Sequence, residues 1–386
     1  MLKTAKQETS ISHAHYDKWF VFAVMSLILI GLMMVSSSSV MMATKNYHQP
    51  FYFVVRQGAY LSIGMILAMV VMRTDTQFWQ KNSVKLLLIC LCLMIAVLIP
   101  GIGKMVNGSR RWLSLGPIGI QVSELAKLLM ILYMSSYLVR QSQRKTQQIM
   151  GFIKPMMVLG LVASLLLMEP DFGATVVIVT TVMMMLFLSG VRWIYYIMLI
   201  ILVAAAMACL AIASPYRVAR LTAFLDPWAD QFKTGYQLTQ ALIAFGRGGW
   251  FGAGLGDSVQ KMFYLPEAHT DFLFAVLAEE MGFFGILMVL SLYALLLWRG
   301  LSIGIQAFQQ NRLYAAYVSY GVTCWMVFQA LINMGVNSGL LPTKGLTLPF
   351  LSYGGASLVV NCAAIALLLR IDHENRWFAL GLRSHP

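Results

Sequence analysis

Tyr264-Leu-Pro-Glu-Ala-His-Thr-Asp-Phe272 marks the place where a polar segment gives way to a hydrophobic helix. It ends the polar segment 214–271, and Asp271 lies at the boundary with the apolar run that follows. Most of the remaining chain is apolar. A carboxylate retained at the edge of a hydrophobic bundle indicates binding or chemistry at that edge. We therefore expect the segment 214–271 to determine the function.

The composition is typical of an integral membrane protein. Of the 386 residues, 59% are hydrophobic and 11% are charged, and the mean hydropathy is +0.73; soluble domains carry about 25% charged residues. The sequence predicts one all-α integral membrane domain, a polytopic bundle of about ten transmembrane helices, with a large extracytoplasmic (periplasmic) loop, 214–271, between helices seven and eight. The predicted spans are 19–36, 53–72, 84–99, 125–139, 155–168, 174–189, 193–213, 272–298, 314–334 and 350–369.

The distribution of Lys and Arg predicts the orientation. The net charge is +13, and most basic residues outside the spans fall in short loops on the side of the N-terminus. Both termini are therefore predicted to be cytoplasmic, as a short tail at 1–18 and another at 371–386. The scattered basic residues favour contacts with a lipid bilayer or phosphates over a nucleic acid partner. The five cysteines lie within apolar runs, which is typical of helix packing.

Two groups of basic residues run against this orientation and suggest an anion on the outer side. Arg110 and Arg111, with Lys104 nearby, lie in a predicted outer loop, 101–121. They could contact lipid headgroups or capture a phosphate of a bound lipid. The second group lies in or beside the large loop and accompanies the glycine-rich segment 246–256, which is either a tight turn or an anion site. Its candidate members are Arg217, Arg220, Arg247 and Lys261.

Charged residues inside the predicted spans need partners or a polar cavity. Glu124 and Lys127 are three positions apart, so they share a helix face and either pair or line a cavity. Glu279 and Glu280 must pair, line water or stay protonated. The turn Glu169-Pro-Asp-Phe-Gly173 is either a solvated hairpin or a holder of a divalent cation.

Asp271 has two interpretations, as a helix N-cap or as a general base with a raised pKa. His269 lies beside it in the sequence. The segment 333–355 contains two prolines and several glycines, which predicts a re-entrant loop with Lys344 at its tip. That loop is either structural or one wall of the cavity in which Asp271 lies.

Four motifs together resemble the SEDS family (shape, elongation, division and sporulation), the polytopic peptidoglycan glycosyltransferases of bacteria. They are Gly-Tyr-Gln-Leu-Thr-Gln (235–240), Ser-Val-Gln-Lys (258–261), Leu-Pro-Glu-Ala-His-Thr-Asp-Phe (265–272) and Pro-Thr-Lys-Gly-Leu-Thr-Leu-Pro (342–349). The last motif is similar to that of the cell-division branch, whereas the elongation branch departs from it around Thr343 and Lys344. Ala356 stands where a serine is usual in the family.

The resemblance implies an inverting glycosyltransferase that polymerises lipid II into glycan strands and releases undecaprenyl pyrophosphate. Asp271 matches the family's essential carboxylate. The other candidates for binding pyrophosphate or sugar are Arg217, Arg220, Arg247, Lys261, Arg110, Arg111, His269 and Lys344. No cofactor is certain, although a divalent cation, Mg²⁺ or Mn²⁺, could stabilise the leaving group.

The resemblance also implies partners and a location. An FtsI-type class B penicillin-binding protein and other membrane proteins of the division apparatus are the expected partners, at the septum in the bacterial inner membrane. Two other functions remain open from the residues alone: a flippase for lipid II, and a non-catalytic scaffold that activates a transpeptidase. A flippase site would lie near the midplane on broken helices in repeated halves, whereas the polar residues here are densest in one outer loop.

Overall fold

A computed structural model describes residues 16–106, 109–115, 118–142, 148–190, 224–229, 231–233, 235–342 and 345–381, with the isolated residues 194, 197, 198, 200, 201 and 205. Within these residues the chain forms ten helices and one three-stranded sheet. Seven of the helices are long and apolar enough to cross a membrane, and two shorter apolar helices accompany them. The predicted class, a polytopic helical membrane protein, is confirmed. The span predicted at 193–213 falls, apart from isolated positions, outside the described residues.

The elements follow the predicted order. The helices are α1 (Lys18–Tyr47), α2 (Tyr52–Arg73), α3 (Thr76–Leu98), α4 (Val122–Ser142), α5 (Gln148–Met168), α6 (Phe172–Leu188), α7 (Tyr236–Gly248), α8 (Leu273–Gln309), α9 (Leu313–Asn337) and α10 (Gly355–Ala379). The strands are β1 (Gly103–Val106), β2 (Ser109–Leu115) and β3 (Ile118–Gln121). Helix α7 belongs to the large loop. Helix α10 continues ten residues beyond the predicted end of its span at 369.

Burial separates a central layer from a lipid-facing one. In α4, α9 and α10 the most apolar 18 residues are 89%, 78% and 83% buried, whereas in α2 only 17% are. The three buried helices therefore form the core of the bundle. They also carry many of its buried polar side chains, because only helices that protein surrounds can satisfy such groups away from water.

Ion pairs join helix ends at one side of the bundle. Asp17 caps α1 by accepting a hydrogen bond from the amide of Phe20, at 3.0 Å. Its own amide donates to Asp372 near the end of α10, at 2.8 Å, and its carboxylate pairs with Arg299 of α8. The beginning of α1 and the end of α10 thus lie together, and the buried charges there are paired, as burial requires.

The segment predicted as an outer loop, 101–121, is instead an antiparallel sheet with the order β1-β2-β3. Lys104 is opposite Trp112, and Trp112 is opposite Gln121 on the other side. The strands are short, and β2 contains two consecutive arginines. The alternation of polar and apolar residues that predicts a strand is therefore weak. The sheet covers one end of the bundle.

The glycine-rich segment forms a strap, residues 249–254, that pairs with a kink in α8. The kink is at Gly282, with φ 64° and ψ −161°, a conformation that only glycine adopts readily. The amide of Gly254 donates to the carbonyl of Glu280 at 3.1 Å. A Cβ at Gly252 would lie 2.1 Å from the same carbonyl oxygen. The strap is thus a tight packing element, and its contacts explain the concentration of glycine.

Candidate functional site

A cavity of about 520 Å³ opens beside the sheet, between α2, α4, α6, α10 and the two loops that flank α8 and α9. This volume is in the range of sites that bind small organic ligands, about 300–1,000 Å³. Aromatic and glycine residues line the cavity along with polar ones. Its charged lining residues are Arg56, Lys104, Arg111, Glu124, Asp171, Glu267 and Asp271. The cavity therefore mixes three cations with four carboxylates.

Asp271 lies in the cavity wall immediately before α8. The N-cap of α8 is Phe272, whose own side chain makes no capping hydrogen bond, so the interpretation of Asp271 as an N-cap is wrong. The backbone carbonyl of Asp271 accepts hydrogen bonds from the side-chain amides of Asn333, at 2.9 Å, and Asn337, at 3.0 Å. Its carboxylate lies beside Gly345, where a Cβ would come within 3.0 Å of Oδ2.

Burial raises the pKa of the Asp271 carboxyl from 3.8 to about 7. The neighbouring charge of Glu267 raises this pKa further, Arg111 lowers it, and Asp171 raises it. A carboxyl whose pKa is close to neutrality suits a general base, because it is ionised in a large fraction of molecules and still binds a proton well.

Both carboxylates of the turn between α5 and α6 are buried, although Pro170 between them is exposed, so the interpretation as a solvated hairpin is wrong. Asp171 caps α6: Oδ1 accepts from the amide of Ala174 at 3.1 Å, and Oδ2 accepts from the hydroxyl of Ser123 at 2.8 Å. Glu169 is completely buried, and neither of its carboxyl oxygens has a hydrogen-bond partner among the described residues. Burial raises the pKa of Glu169 from 4.5 to about 8, with Asp171 acting in the same direction and Arg111 against it.

Arg111 connects the sheet to this turn. Its Nε donates to the carbonyl of Glu169 at 3.1 Å, and its Nη2 donates to the carbonyl of Pro170 at 2.5 Å. The guanidinium also lines the cavity, as does Lys104. Arg110, half-buried and opposite Met105 in the sheet, does not line it. Phosphate binding by these residues stays a prediction.

The Glu124–Lys127 ion pair is confirmed. Lys127 Nζ lies 2.7 Å from Oε1 of Glu124 and 2.7 Å from Oε1 of Gln329. Both charged side chains are buried, and Glu124 also lines the cavity. The sequence offered an ion pair or a cavity lining for these residues, and the structure shows the ion pair together with a cavity lining by Glu124. The second oxygen of Glu124 has no hydrogen-bond partner in the described part of the chain.

Glu279 and Glu280 are paired, and their partners come from the large loop. Lys261 Nζ lies 2.7 Å from Oε1 of Glu280 and is buried with it. Glu279 accepts from the hydroxyl of Ser258 at 2.5 Å, and Arg247 approaches it at 3.6 Å with a half-exposed side chain. Neither Lys261 nor Arg247 lines the cavity. A contact of either residue with substrate remains a prediction, but both have internal partners.

The remaining candidates divide by position. The His269 ring packs on Phe53, with ring centroids 4.6 Å apart, and on Tyr353, at 5.7 Å; burial lowers its pKa. It is outside the cavity lining. Gly345 and other residues of the re-entrant loop do line the cavity, so its interpretation as a wall is confirmed. Arg217, Arg220 and Lys344 lie outside the described residues.

Helix α9 carries a row of buried amides that was not predicted from the sequence. Gln329, Asn333 and Asn337 recur at every fourth position and are 0%, 1% and 0% exposed. Gln329 donates to the carbonyl of Thr347 at 2.9 Å, and the two asparagines donate to Asp271. A signal was present, because three amides spaced by four in an apolar span share one helix face. We call these three residues the amide row.

Comparisons with known proteins agree with this architecture. The family model of the cell cycle proteins FtsW, RodA and SpoVE matches residues 18–377. A relative from Legionella pneumophila, named a probable peptidoglycan glycosyltransferase FtsW, is 66% identical over 95% of this chain and 93% of its own length. A relative from Coxiella burnetii with the same name is 52% identical over 95% of this chain and 99% of its own length.

Two solved structures share the fold. One, described as a peptidoglycan synthase complex that coordinates polymerization and crosslinking, matches with a TM-score of 0.78 and 29% identity over 94% of this chain and 98% of its own. The other, the rod shape determining protein RodA of Thermus thermophilus, matches with a TM-score of 0.70 and 28% identity over 96% and 99%. With the family model covering nearly the whole sequence, this multi-pass membrane chain belongs to the FtsW/RodA/SpoVE family of cell cycle proteins.

Proposed function

We propose that this chain is a peptidoglycan glycosyltransferase that polymerises lipid II into glycan strands for septal wall synthesis in bacterial division. The observation that carries the proposal is the position of Asp271, a carboxylate in the wall of a cavity of about 520 Å³, with a pKa raised by burial to about 7. The names of the two relatives support the reaction, and their similarity to the chain supports the division role.

The reaction assigns one task to Asp271. Its carboxylate takes the proton from the 4-hydroxyl of the acceptor's N-acetylglucosamine as that oxygen attacks the anomeric carbon of the donor's N-acetylmuramic acid. The bond from this carbon to the pyrophosphate oxygen breaks, and undecaprenyl pyrophosphate leaves with the electron pair. The configuration at the anomeric carbon is inverted. The proton that Asp271 acquires is then released to solvent, which returns the base to its active form.

The cations of the cavity suit the leaving group. Arg56, Lys104 and Arg111 line the same cavity as Asp271, and charged donors at a departing pyrophosphate lower the barrier to its release. Arg56 is held by a hydrogen bond to the hydroxyl of Tyr52, at 2.9 Å. Arg217, Arg220 and Lys344 remain further candidates for this role.

A divalent cation is part of the proposal in a limited form. The described residues contain no group of three or more acidic, histidine or cysteine side chains arranged to hold a metal, and the oxygens of Asp171 already accept protein hydrogen bonds. This donor set does not fit a cage built by protein alone. It would fit Mg²⁺ or Mn²⁺ held mainly by substrate phosphates and water, where the cation would neutralise phosphate charge.

The proposal includes partners and a location. An FtsI-type class B penicillin-binding protein is the proposed transpeptidase partner, beside other membrane proteins of the division apparatus. The similarity to a peptidoglycan synthase complex supports such an assembly. The chain is proposed to lie in the inner membrane with both termini in the cytoplasm, because its ion-paired helix ends lie together and Lys and Arg are enriched on that side.

The test is glycan-strand synthesis from purified lipid II by the chain together with its transpeptidase partner in liposomes. Asp271→Asn is expected to lower the rate at least about 100-fold, the usual contribution of a positioned base, while the complex stays intact. Asp257→Asn is the matched control, because Asp257 is an exposed carboxylate of the same loop. Equal polymer from Asp271→Asn and wild type would reject Asp271 as the base. No polymer from wild type would reject the enzyme in favour of a flippase or scaffold.

A further inference from the structure

The amide row gives the proposed base a support on a neighbouring helix. We propose that Asn333 and Asn337 are positioning residues, which fix the peptide of Asp271 through its carbonyl oxygen and thereby set where its carboxylate lies in the cavity. The inference rests on the proposed function, because it needs Asp271 to act as the base. It assigns to α9 a role in the reaction although neither asparagine lines the cavity.

The first step is the geometry of the two donors. Asn333 and Asn337 are four positions apart on α9, so their side chains follow one another along the same face. Each sends its Nδ2 to the carbonyl oxygen of Asp271, at 2.9 and 3.0 Å. The Nδ2 of Asn337 also donates to the carbonyl of Asn333 at 2.8 Å, which holds that amide in place. Both asparagines are buried, so these donors are removed from bulk water.

The second step is the direction of the Asp271 carbonyl. Asp271 precedes the N-cap Phe272, so its carbonyl is outside the regular hydrogen bonding of α8 and does not pair with the amide of Ala275. The amide of Ala275 instead donates to the carbonyl of Phe272, at 3.1 Å, and to Oδ1 of Asn337, at 3.2 Å. Asn337 thus binds two backbone groups at the beginning of α8, the carbonyl of Asp271 and the amide of Ala275. The peptide between Asp271 and Phe272 is held at its carbonyl by α9 and at its amide by the carbonyl of Glu267, at 3.2 Å.

Asn333 also joins the base to the loop that follows α9. The Nδ2 of Asn333 donates to the carbonyl of Leu346 at 2.5 Å as well as to that of Asp271. Leu346 follows Gly345, the residue against which the Asp271 carboxylate lies. A single side-chain amide therefore fixes both the backbone that carries the base and the backbone that the base faces. Turning either peptide would leave a buried side-chain donor unpaired, which opposes the rotation.

The alternative is that Asn333 and Asn337 only stabilise the fold. A buried asparagine on another helix, α10, offers a control. Asn375 donates through its Nδ2 to the carbonyl of Ile303 in α8, at 3.0 Å, and it is as buried as Asn333. Ile303 is 30 residues beyond the beginning of α8, roughly 45 Å along a helix. Asn375→Ala thus removes the same kind of bond to the same helix, far from Asp271.

The experiment measures steady-state glycan synthesis per folded molecule, for the complex with its transpeptidase partner in liposomes. The variants are Asn333→Ala, Asn337→Ala and Asn375→Ala, each characterised by thermal denaturation and size-exclusion chromatography. We expect kcat to fall about 10- to 100-fold in the first two variants, since a displacement of about 1 Å at a reacting group has this order of effect. KM should stay within about threefold, because the asparagines do not touch substrate.

The pH profile provides a measurement that a structural role would not change. The charges of Glu267, Arg111 and Asp171 contribute to the pKa of Asp271, so a displaced carboxylate titrates in a different field and the inflection of kcat against pH moves. Asn375→Ala should lose comparable thermal stability but keep the wild-type kcat and inflection. Wild-type kcat and inflection in both Asn333→Ala and Asn337→Ala would overturn the inference. A normal rate in Asp271→Asn would instead reject the proposed base.

Discussion

The carboxylate of Asp271 and the backbone of Gly345 are in close contact: a Cβ built on Gly345 would lie 3.0 Å from Oδ2. This separation is shorter than van der Waals contact between carbon and oxygen, so a side chain at position 345 would displace the carboxylate. Gly345 of the motif 342–349 and Asp271 of the motif 265–272 are thus neighbours in the cavity wall, although more than 70 residues separate them in the sequence.

The first prediction concerns Gly345→Ala. The added methyl group pushes the Asp271 carboxylate away from its place, and we expect kcat to fall about 10- to 100-fold while thermal stability changes by only a few degrees. The measurement is lipid II polymerisation per folded molecule. Gly160→Ala is the matched control, because a Cβ at Gly160 in α5 would meet no atom within 4 Å. Equal rates in the two variants would contradict the contact.

The second prediction concerns pH. A general base works in its ionised form, so the rate should rise with pH through the pKa of Asp271, about 7. Glu267 carries a negative charge that raises this pKa. Glu267→Gln removes that charge, and the inflection of the rate profile should therefore move to lower pH. Asp257→Asn, the exposed carboxylate of the same loop, should leave the profile unchanged. An unmoved or raised inflection in Glu267→Gln would be the contrary result.

The third prediction concerns the buried carboxyl of Glu169. Its pKa in the folded protein, about 8, is above its ordinary value of 4.5. Between these values the folded state holds a proton that the unfolded state has released, so the free energy of unfolding decreases as pH rises from about 4.5 to 8. Glu169→Gln has nearly the same shape and no charge to develop. Its thermal midpoint should exceed that of wild type by a growing margin across this window.

Thermal denaturation at pH 5, 6.5 and 8 checks the Glu169 prediction. Glu267→Gln controls for the loss of a carboxylate that the cavity exposes. Parallel pH dependence in wild type and Glu169→Gln would mean that Glu169 is ionised in the folded protein, paired with a group beyond the described residues.

The fourth prediction separates packing from substrate binding at Lys261. Lys261→Ala leaves Glu280 buried without its partner, which typically costs about 3–5 kcal/mol, and we expect a large drop in the thermal midpoint. The double variant Lys261→Met/Glu280→Gln removes both charges and should recover most of this stability. If Lys261 acts only through Glu280, glycan synthesis per folded molecule recovers as well. A stable but inactive double variant would place Lys261 at the substrate.

The sequence predicted the bundle well because apolar length is a local property. Nine of the predicted spans correspond to helices, with ends that differ by a few residues in most cases, since helix ends depend on caps and packing. Asp271 was identified through its place at the end of a polar loop and through the family motif. The ion pair Glu124–Lys127 followed from spacing on one helix, which is also local information.

What the sequence did not provide depends on contacts between distant segments. In the sequence, Lys261 and Arg247 had the appearance of cations available to a phosphate. In the structure, Lys261 pairs with Glu280 of α8 and Arg247 approaches Glu279 of the same helix. The sheet at 103–121 was missed because its short strands lack clear alternation. Asn333 was read as part of a loop, whereas its role becomes visible only when α9 lies beside Asp271. Each of these relations is fixed by tertiary packing, which a pattern along one segment does not encode.

The kink at Gly282 divides α8 into two parts that differ in burial. From Leu273 to Glu280 every residue is buried, whereas Phe283, Phe284 and Leu287 beyond the kink are exposed on the outer face of the bundle. The first part is thus enclosed by protein, whereas the second turns one apolar face outward and packs the other against the bundle. The strap closes over the kink, because the amides of Phe283 and Phe284 donate to the carbonyls of Gly249 and Trp250 at 2.9 and 3.3 Å, so the large loop is fastened to the helix that begins next to Asp271.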